Sequence, residues 1–200
     1  MTTSAALAIA GVALCLAGYV PYVRDTLEGR TQPHALSWLG WGLLTAIALA
    51  GQVVGHAGVG ALVTASTAVC ALAVFALALR SGALSFPVVD WLMFAGAIGA
   101  VAVWHVTGNP LGGVILVTAS DLLAFAPTVR KTFSQPHGET TSAYVLGAAK
   151  NTLGICALQR LSAVTLLFPL ASVASHLAFV AMVVVRRSRV PGAALPANAS

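Results

Sequence analysis

An aspartate and a lysine stand inside long apolar stretches of this 200-residue chain, and they are the side chains best placed to do chemistry. On insertion scales a charge at the centre of a membrane helix costs about 2.5–3.5 kcal/mol, so such residues call for a specific reason. Asp121 lies six residues, about a turn and a half of helix, before Pro127. It suits the binding of a proton or an amine, and equally a structural pair with Lys150. Lys150 sits near the middle of its own apolar stretch, where its long stem can also snorkel toward an aqueous cavity. His176 adds a group that can bind a solute and move a proton near neutral pH. Ser172 and Ser175 lie within a turn of it, with Ser66 as the counterpart of Ser172 earlier in the chain. Such serines either line a cavity or bond to helix backbones.

Trp38, Trp41 and Thr45 share one face of a helix by the i, i+3, i+7 rule. Later in the chain Tyr144, Gly147 and Asn151 repeat the spacing. An aromatic wall over a polar amide suits a cavity for a small polar solute. Trp38 and Tyr144 also read as members of an interfacial aromatic belt, whereas Trp41 and Asn151 lie deeper. The candidate substrate-binding residues are therefore Trp41, Tyr144, Asn151, Ser66, Ser172 and His176. Asp121 and Lys150 are candidates for proton or charge coupling. Pro21 and Pro127 either hinge or terminate their helices. His56 and His105 fall near loop ends and read as solvated. Cys15, Cys70 and Cys156 lie in apolar segments with no CxxC and no metal spacing, and read as packing residues. With no P-loop, dinucleotide fingerprint or HExxH, the expectation is no enzyme, no catalytic residue, no metal and no cofactor.

Composition dictates the solvent. Hydrophobic residues make up 58% of the chain and charged residues only 8%, where a soluble domain carries roughly a quarter. Mean hydropathy is +0.92. Breaks at charges and Gly/Pro clusters divide the chain into seven spans near 4–22, 35–54, 58–79, 86–106, 110–128, 140–158 and 161–185. The first reads as a retained span and not a signal peptide. Loops that alternate sides put Arg24, Arg30, Arg80, Arg130, Lys131, Arg186, Arg187 and Arg189 on one face and only Arg160 on the other. The positive-inside rule then places the N terminus outside and the C terminus in the cytoplasm, in a bacterial-type plasma membrane. The basic residues are scattered at segment ends, which argues for topology and against nucleic acid. The Pro/Ala-rich tail, 190–200, is expected to be disordered and cytoplasmic.

The chain also says nearly the same thing twice. Pro21-Tyr-Val-Arg-Asp-Thr26 returns 106 residues later as Pro127-Thr-Val-Arg-Lys-Thr132, and at the same offset Ala65-Ser66 returns as Ala171-Ser172 and Arg80 as Arg186. Each repeat holds three helices, so one extra helix between them restores the same orientation. The expected all-α architecture is two parallel three-helix bundles, 1–82 and 109–189, joined by a linker helix within 83–108. Parallel repeats are related by an axis along the membrane normal, with solute crossing between them.

This layout, with a proline ahead of each basic loop, resembles the SWEET and PQ-loop carriers over nearly the whole chain. The family's Pro-Gln pair stands here as Pro21-Tyr22 and Pro127-Thr128. Gln-Pro-His occurs at 32–34 and 135–137, an offset of 103 instead of 106. At the level of the family's sugar-facing asparagines stand Ser66 or Cys70 and Ser172 or His176. The resemblance implies alternating-access transport of a small polar, sugar-like solute, or of an amino acid with proton coupling if Asp121 or His176 titrates. The alternative is a non-transporting membrane scaffold or accessory subunit of the same fold. The partners implied are the lipid bilayer and the solute, with a homo-oligomer admitted.

Overall fold

The computed structural model describes residues 2–29, 35–80, 88–138 and 141–189. The tail 190–200, Arg30 and the first Gln-Pro-His lie outside them. The described residues form seven α-helices and no strand: α1 (Thr3–Leu27), α2 (Ala35–Val54), α3 (Ala61–Arg80), α4 (Val88–Thr107), α5 (Pro110–Ser134), α6 (Thr141–Cys156) and α7 (Ala163–Arg189). Short 3-10 turns occupy Gly58–Gly60 and Pro136–Gly138.

Local chemistry sets the helix ends. The Thr2 hydroxyl accepts from the Ala5 amide at 3.3 Å and caps α1. Asn109 caps α5 by accepting from Leu111 N at 3.0 Å, with Pro110 at the first helical position. The sparse punctuation between the second and third spans is a true break. His56 (φ 57°) and Gly58 (φ 64°) both adopt the left-handed conformation that ends a helix.

Six helices, all but α6, are long and apolar enough to cross a membrane, and the chain is an integral membrane protein. Helix α6 has 16 residues, about 24 Å of rise against a hydrocarbon core of about 30 Å. It ends at Cys156 and hands over to a non-helical stretch. Its inward face is Gly147, Ala148, Lys150, Asn151 and Gly154, so packing and not lipid holds much of it. The other correction concerns the prolines. α1 runs on to Leu27 and α5 to Ser134, so Pro21 and Pro127 lie inside their helices and terminate neither.

Large apolar side chains such as Ile9, Val69, Ile98 and Leu177 point outward, while the interior is rich in Ala, Gly, Ser and Thr. That inside-out distribution lets helix backbones approach closely in lipid. Helix α3 packs against both α1 and α2, and α7 packs against both α5 and α6. Between these groups α1 packs on α6, and α2 on α5. Helix α4 lies against α2 and α5, where Met93, Ala97 and Ala100 join Leu44, Val114 and Val117 in the largest apolar core. Ser37 donates to Asp90 Oδ1 at 2.7 Å and ties the start of α2 to the start of α4.

One end of the molecule is basic. Arg24, Arg80, Lys131 and Arg186 sit in the last turns of their helices, with Arg130 just before Lys131. Arg186 Nε donates to Phe133 O and Arg187 Nε to Pro136 O, each at 2.9 Å, which binds the end of α7 to that of α5. Arg160 belongs to the opposite end, where Thr165 Oγ1 donates to its carbonyl at 2.9 Å.

Candidate functional site: a cavity between the two halves

A cavity of about 420 Å³ lies between the first three helices and the last three, all six of which contribute to its wall. It runs from Thr45, Lys150 and Asn151 at mid-depth toward Tyr22, Trp38 and Thr128 near the basic end. Helical spacing puts these residues on its wall. Trp38, Trp41 and Thr45 follow one face of α2, and Tyr144, Gly147 and Asn151 one face of α6.

Two aromatic clusters form the flanks. Trp38 stacks within 5.1 Å of Tyr22, 5.5 Å of Trp41 and 5.9 Å of Tyr19, ring centroid to centroid. Its indole Nε1 donates to the Tyr22 hydroxyl at 3.3 Å. On the other flank Tyr144 lies 5.6 Å from Phe125, 4.3 Å from Phe179 and 5.6 Å from His176. Tilted and edge-on rings at these distances attract one another and hold a fixed wall.

The two flanks are repeat mates. At the 106-residue offset, Tyr19 corresponds to Phe125, Tyr22 to Thr128 and Trp38 to Tyr144. Trp41 likewise corresponds to Gly147, Thr45 to Asn151 and Cys15 to Asp121. Both members of each of these six pairs line the cavity. The duplication therefore has a common address in space, and it is this void.

Where Trp41 fills its side, Gly147 leaves room for a neighbour. A Cβ at Gly147 would meet His176 Cε1 and Nδ1 at 2.6 Å, so the imidazole lies directly over this backbone. His176 Nδ1 is buried and without a hydrogen-bond partner among the described residues. Lys150 and Asn151 are each 9% exposed. The ammonium donates to Thr67 Oγ1 at 2.7 Å and to Asn151 Oδ1 at 3.4 Å. Cys15 Sγ lies 3.7 Å from the same Thr67 oxygen. No direct Asp121–Lys150 ion pair, one of the two readings of Asp121, forms among the described residues, and Lys150 bonds instead to neutral oxygens. Asp121 faces the cavity from α5 without a hydrogen bond among the described residues.

Trp41, Tyr144, Asn151, Ser172, His176, Asp121 and Lys150 are brought together at this cavity. Ser66 is not. Its hydroxyl donates to Val63 O at 2.8 Å, and Thr64 and Thr67 take its place on the wall. Ser172 Oγ likewise donates to a backbone carbonyl, that of Phe168, at 3.0 Å. Pro21 and Pro127 are exposed and stand one residue before Tyr22 and Thr128, so they border the wall without joining it. His56 and His105 are exposed, as expected.

Sequence reading missed Tyr19, Tyr22, Phe125 and Thr67, and it treated Cys15 as packing alone. The repeat register held a signal for two of them, since Asp121 and Thr128 project back to Cys15 and Tyr22. Asp90 was also passed over. It is buried at 1% exposure, although it stands close to the start of its helix.

The end away from the aromatic rings is closed. A Cβ at Gly11 would lie 3.3 Å from Lys150 O, and one at Gly60 would lie 2.7 Å from Leu158 N and 2.8 Å from Gly154 O. Gln159 N donates to Ala57 O at 3.0 Å, and Gln52 Nε2 to Thr165 O at 3.2 Å. These contacts join the two halves across the seam. A shallower depression of about 500 Å³ along α5, between Leu122 and Ser134, does not lie between the halves.

No family profile, curated protein or solved structure matches the chain.

Proposed function

We propose that the chain is a SWEET/PQ-loop-like carrier, built as two three-helix bundles joined by α4, that moves a small polar solute by alternating access. The observation that carries this reading is the placing of repeat mates on both walls of one cavity between the halves. A volume of about 420 Å³ falls within the roughly 300–1,000 Å³ of small-molecule sites. Aromatic faces supply flat apolar contact, and Asn151, Thr45 and Lys150 supply the hydrogen bonds that orient a solute. The arrangement has one closed end and one end toward which the cavity runs, as a carrier does in one of its two states.

In this reading the basic end is cytoplasmic, so the state described faces inward. Rocking the bundles would separate Gln159 from Ala57 and bring the rings of Trp38 and Tyr144 together. Counterflow in proteoliposomes tests the proposal, with a panel of labelled sugars and amino acids at two pH values. Exchange that falls about tenfold or more in Asn151→Ala, a loss of roughly 1.4 kcal/mol, supports a carrier with its site here. Folded protein that exchanges no solute of the panel would instead support a non-transporting scaffold.

A further inference from the structure

We infer that the solute is a small zwitterion, carrying an ammonium and a carboxylate beside a flat apolar face. The inference rests on the carrier reading and names the chemistry of its cavity. Aromatic walls accept a sugar ring as readily as an arene, so the charges must decide the class.

Those charges are distributed unevenly. Asp121, Lys150 and His176 all belong to the second repeat, and their mates in the first are Cys15, Leu44 and Cys70. The first repeat instead contributes Tyr19, Trp38 and Trp41. The cavity is therefore aromatic on both flanks but carries its aspartate, lysine and histidine on one only. A symmetric neutral solute requires no such polarisation, and charges in the hydrocarbon are costly unless matched.

The two charges act on each other across the cavity but make no direct ion pair. The Lys150 ammonium bonds to the neutral oxygens of Thr67 and Asn151, and Asp121 makes no hydrogen bond among the described residues. They also come from different walls. Helix α6 packs on α1, α3 and α7, whereas α5 packs on α2, α4 and α7. A solute lying between them brings a carboxylate to Lys150 and Asn151 and an ammonium to Asp121, while its apolar face rests on Trp38 and Trp41. Each charge then gains the counter-charge that a buried group needs.

The probes are four compounds offered to the full-length protein in detergent and in proteoliposomes at neutral pH. L-phenylalanine carries both charges and a ring, phenethylamine only the ammonium, 3-phenylpropionate only the carboxylate, and glucose neither. Calorimetric binding should favour phenylalanine over each single-charge analogue by about tenfold or more, with no competition from glucose. Asp121→Asn should weaken phenylalanine to the level of phenylpropionate and leave phenylpropionate unchanged. Lys150→Met should do the reverse, weakening phenylalanine to the level of phenethylamine. Retained phenethylamine binding would certify that this variant's cavity is intact. If it fails to fold, Lys150→Arg, which keeps the charge, and the Asp121 arm decide the matter.

Equal affinity for phenylalanine and its single-charge analogues would overturn the inference. So would glucose binding that ignores both substitutions. Failure of the carrier reading looks different, since binding selectivity would persist in detergent while no probe exchanged across the bilayer. Conversely, glucose counterflow without phenylalanine binding would keep the carrier and discard the zwitterion.

Discussion

At Gly147 one added methyl group would sit 2.6 Å from the imidazole of His176. The ring cannot swing aside freely, because it is held between Tyr144 and Phe125 at centroid distances of 5.6 and 6.1 Å. Overpacking of this kind costs about 1–3 kcal/mol. Gly147→Ala should therefore weaken solute binding about five- to 150-fold while leaving the helices intact, measured by calorimetry and circular dichroism. Unchanged affinity would remove this wall from the site. The mate of this glycine is Trp41, on the opposite flank of the same cavity. The two halves need not be filled alike as long as the void between them keeps its shape. Ser66→Ala serves as the control, since its hydroxyl is already satisfied by Val63 O and lies off the wall. It should leave binding within about twofold, an effect of a few tenths of a kcal/mol.

Among the elements, α1 and α5 carry prolines inside them, and the mechanical consequence is specific. Each ring removes a hydrogen bond and crowds the carbonyl four residues earlier, so the helix is weakest just below Tyr22 and Thr128. If the halves bend there, Pro21→Ala or Pro127→Ala should lower the turnover of counterflow several-fold with little change in apparent affinity. Thermal stability should stay equal or rise, because the missing helix bond is restored. A matching loss of affinity would argue that the prolines shape the wall and not the motion. At the closed end the relevant element is the 3-10 turn at Gly58–Gly60. A Cβ at Gly60 meets backbone atoms of α6, which cannot swing aside as a side chain can. Gly60→Ala should wedge the seam open and lower the melting temperature, or shift the population toward an outward-facing state that labels at this end.

For the whole molecule the seam itself is the test. The Gln159 N to Ala57 O bond of 3.0 Å brings these two backbones within reach of a disulfide. In a variant lacking Cys15, Cys70 and Cys156, Ala57→Cys with Gln159→Cys should form a bond on oxidation. Counterflow should then stop, and return on reduction. Full transport through a completely oxidised protein would exclude any opening at that end. The same logic accounts for the packing of α4. Its contacts run to α2 and α5, and the Ser37 to Asp90 bond clamps it to the first of these, so in the proposed carrier such a tie would limit how far the halves part.

Much of this was legible in the linear chain because its signals are one-dimensional. Charge sparseness, span length and the charge bias of the loops depend on composition and order, and lipid leaves few alternatives to helices. The repeat at 106 residues, together with the i, i+3, i+7 spacing of Trp38, Trp41 and Thr45, named faces of α2 and α6 that line the same cavity. What the linear order could not reveal was decided by neighbours distant in sequence. Lys150 could have met Asp121, and meets Thr67 instead because α6 packs on α1 and α3. Ser66 and Thr67 are adjacent in sequence and both hydroxyls donate to Val63 O, yet a rotation of about 100° about the helix axis leaves only Thr67 on the cavity wall, where its oxygen also accepts from Lys150. Pro21 and Pro127 looked able to end their helices, but the turns beyond them are kept by packing at the basic end. Composition and periodicity thus settle that helices form and which faces they bury. Which side chains share a void, and which charge finds which partner, depends on close approach between segments a hundred residues apart.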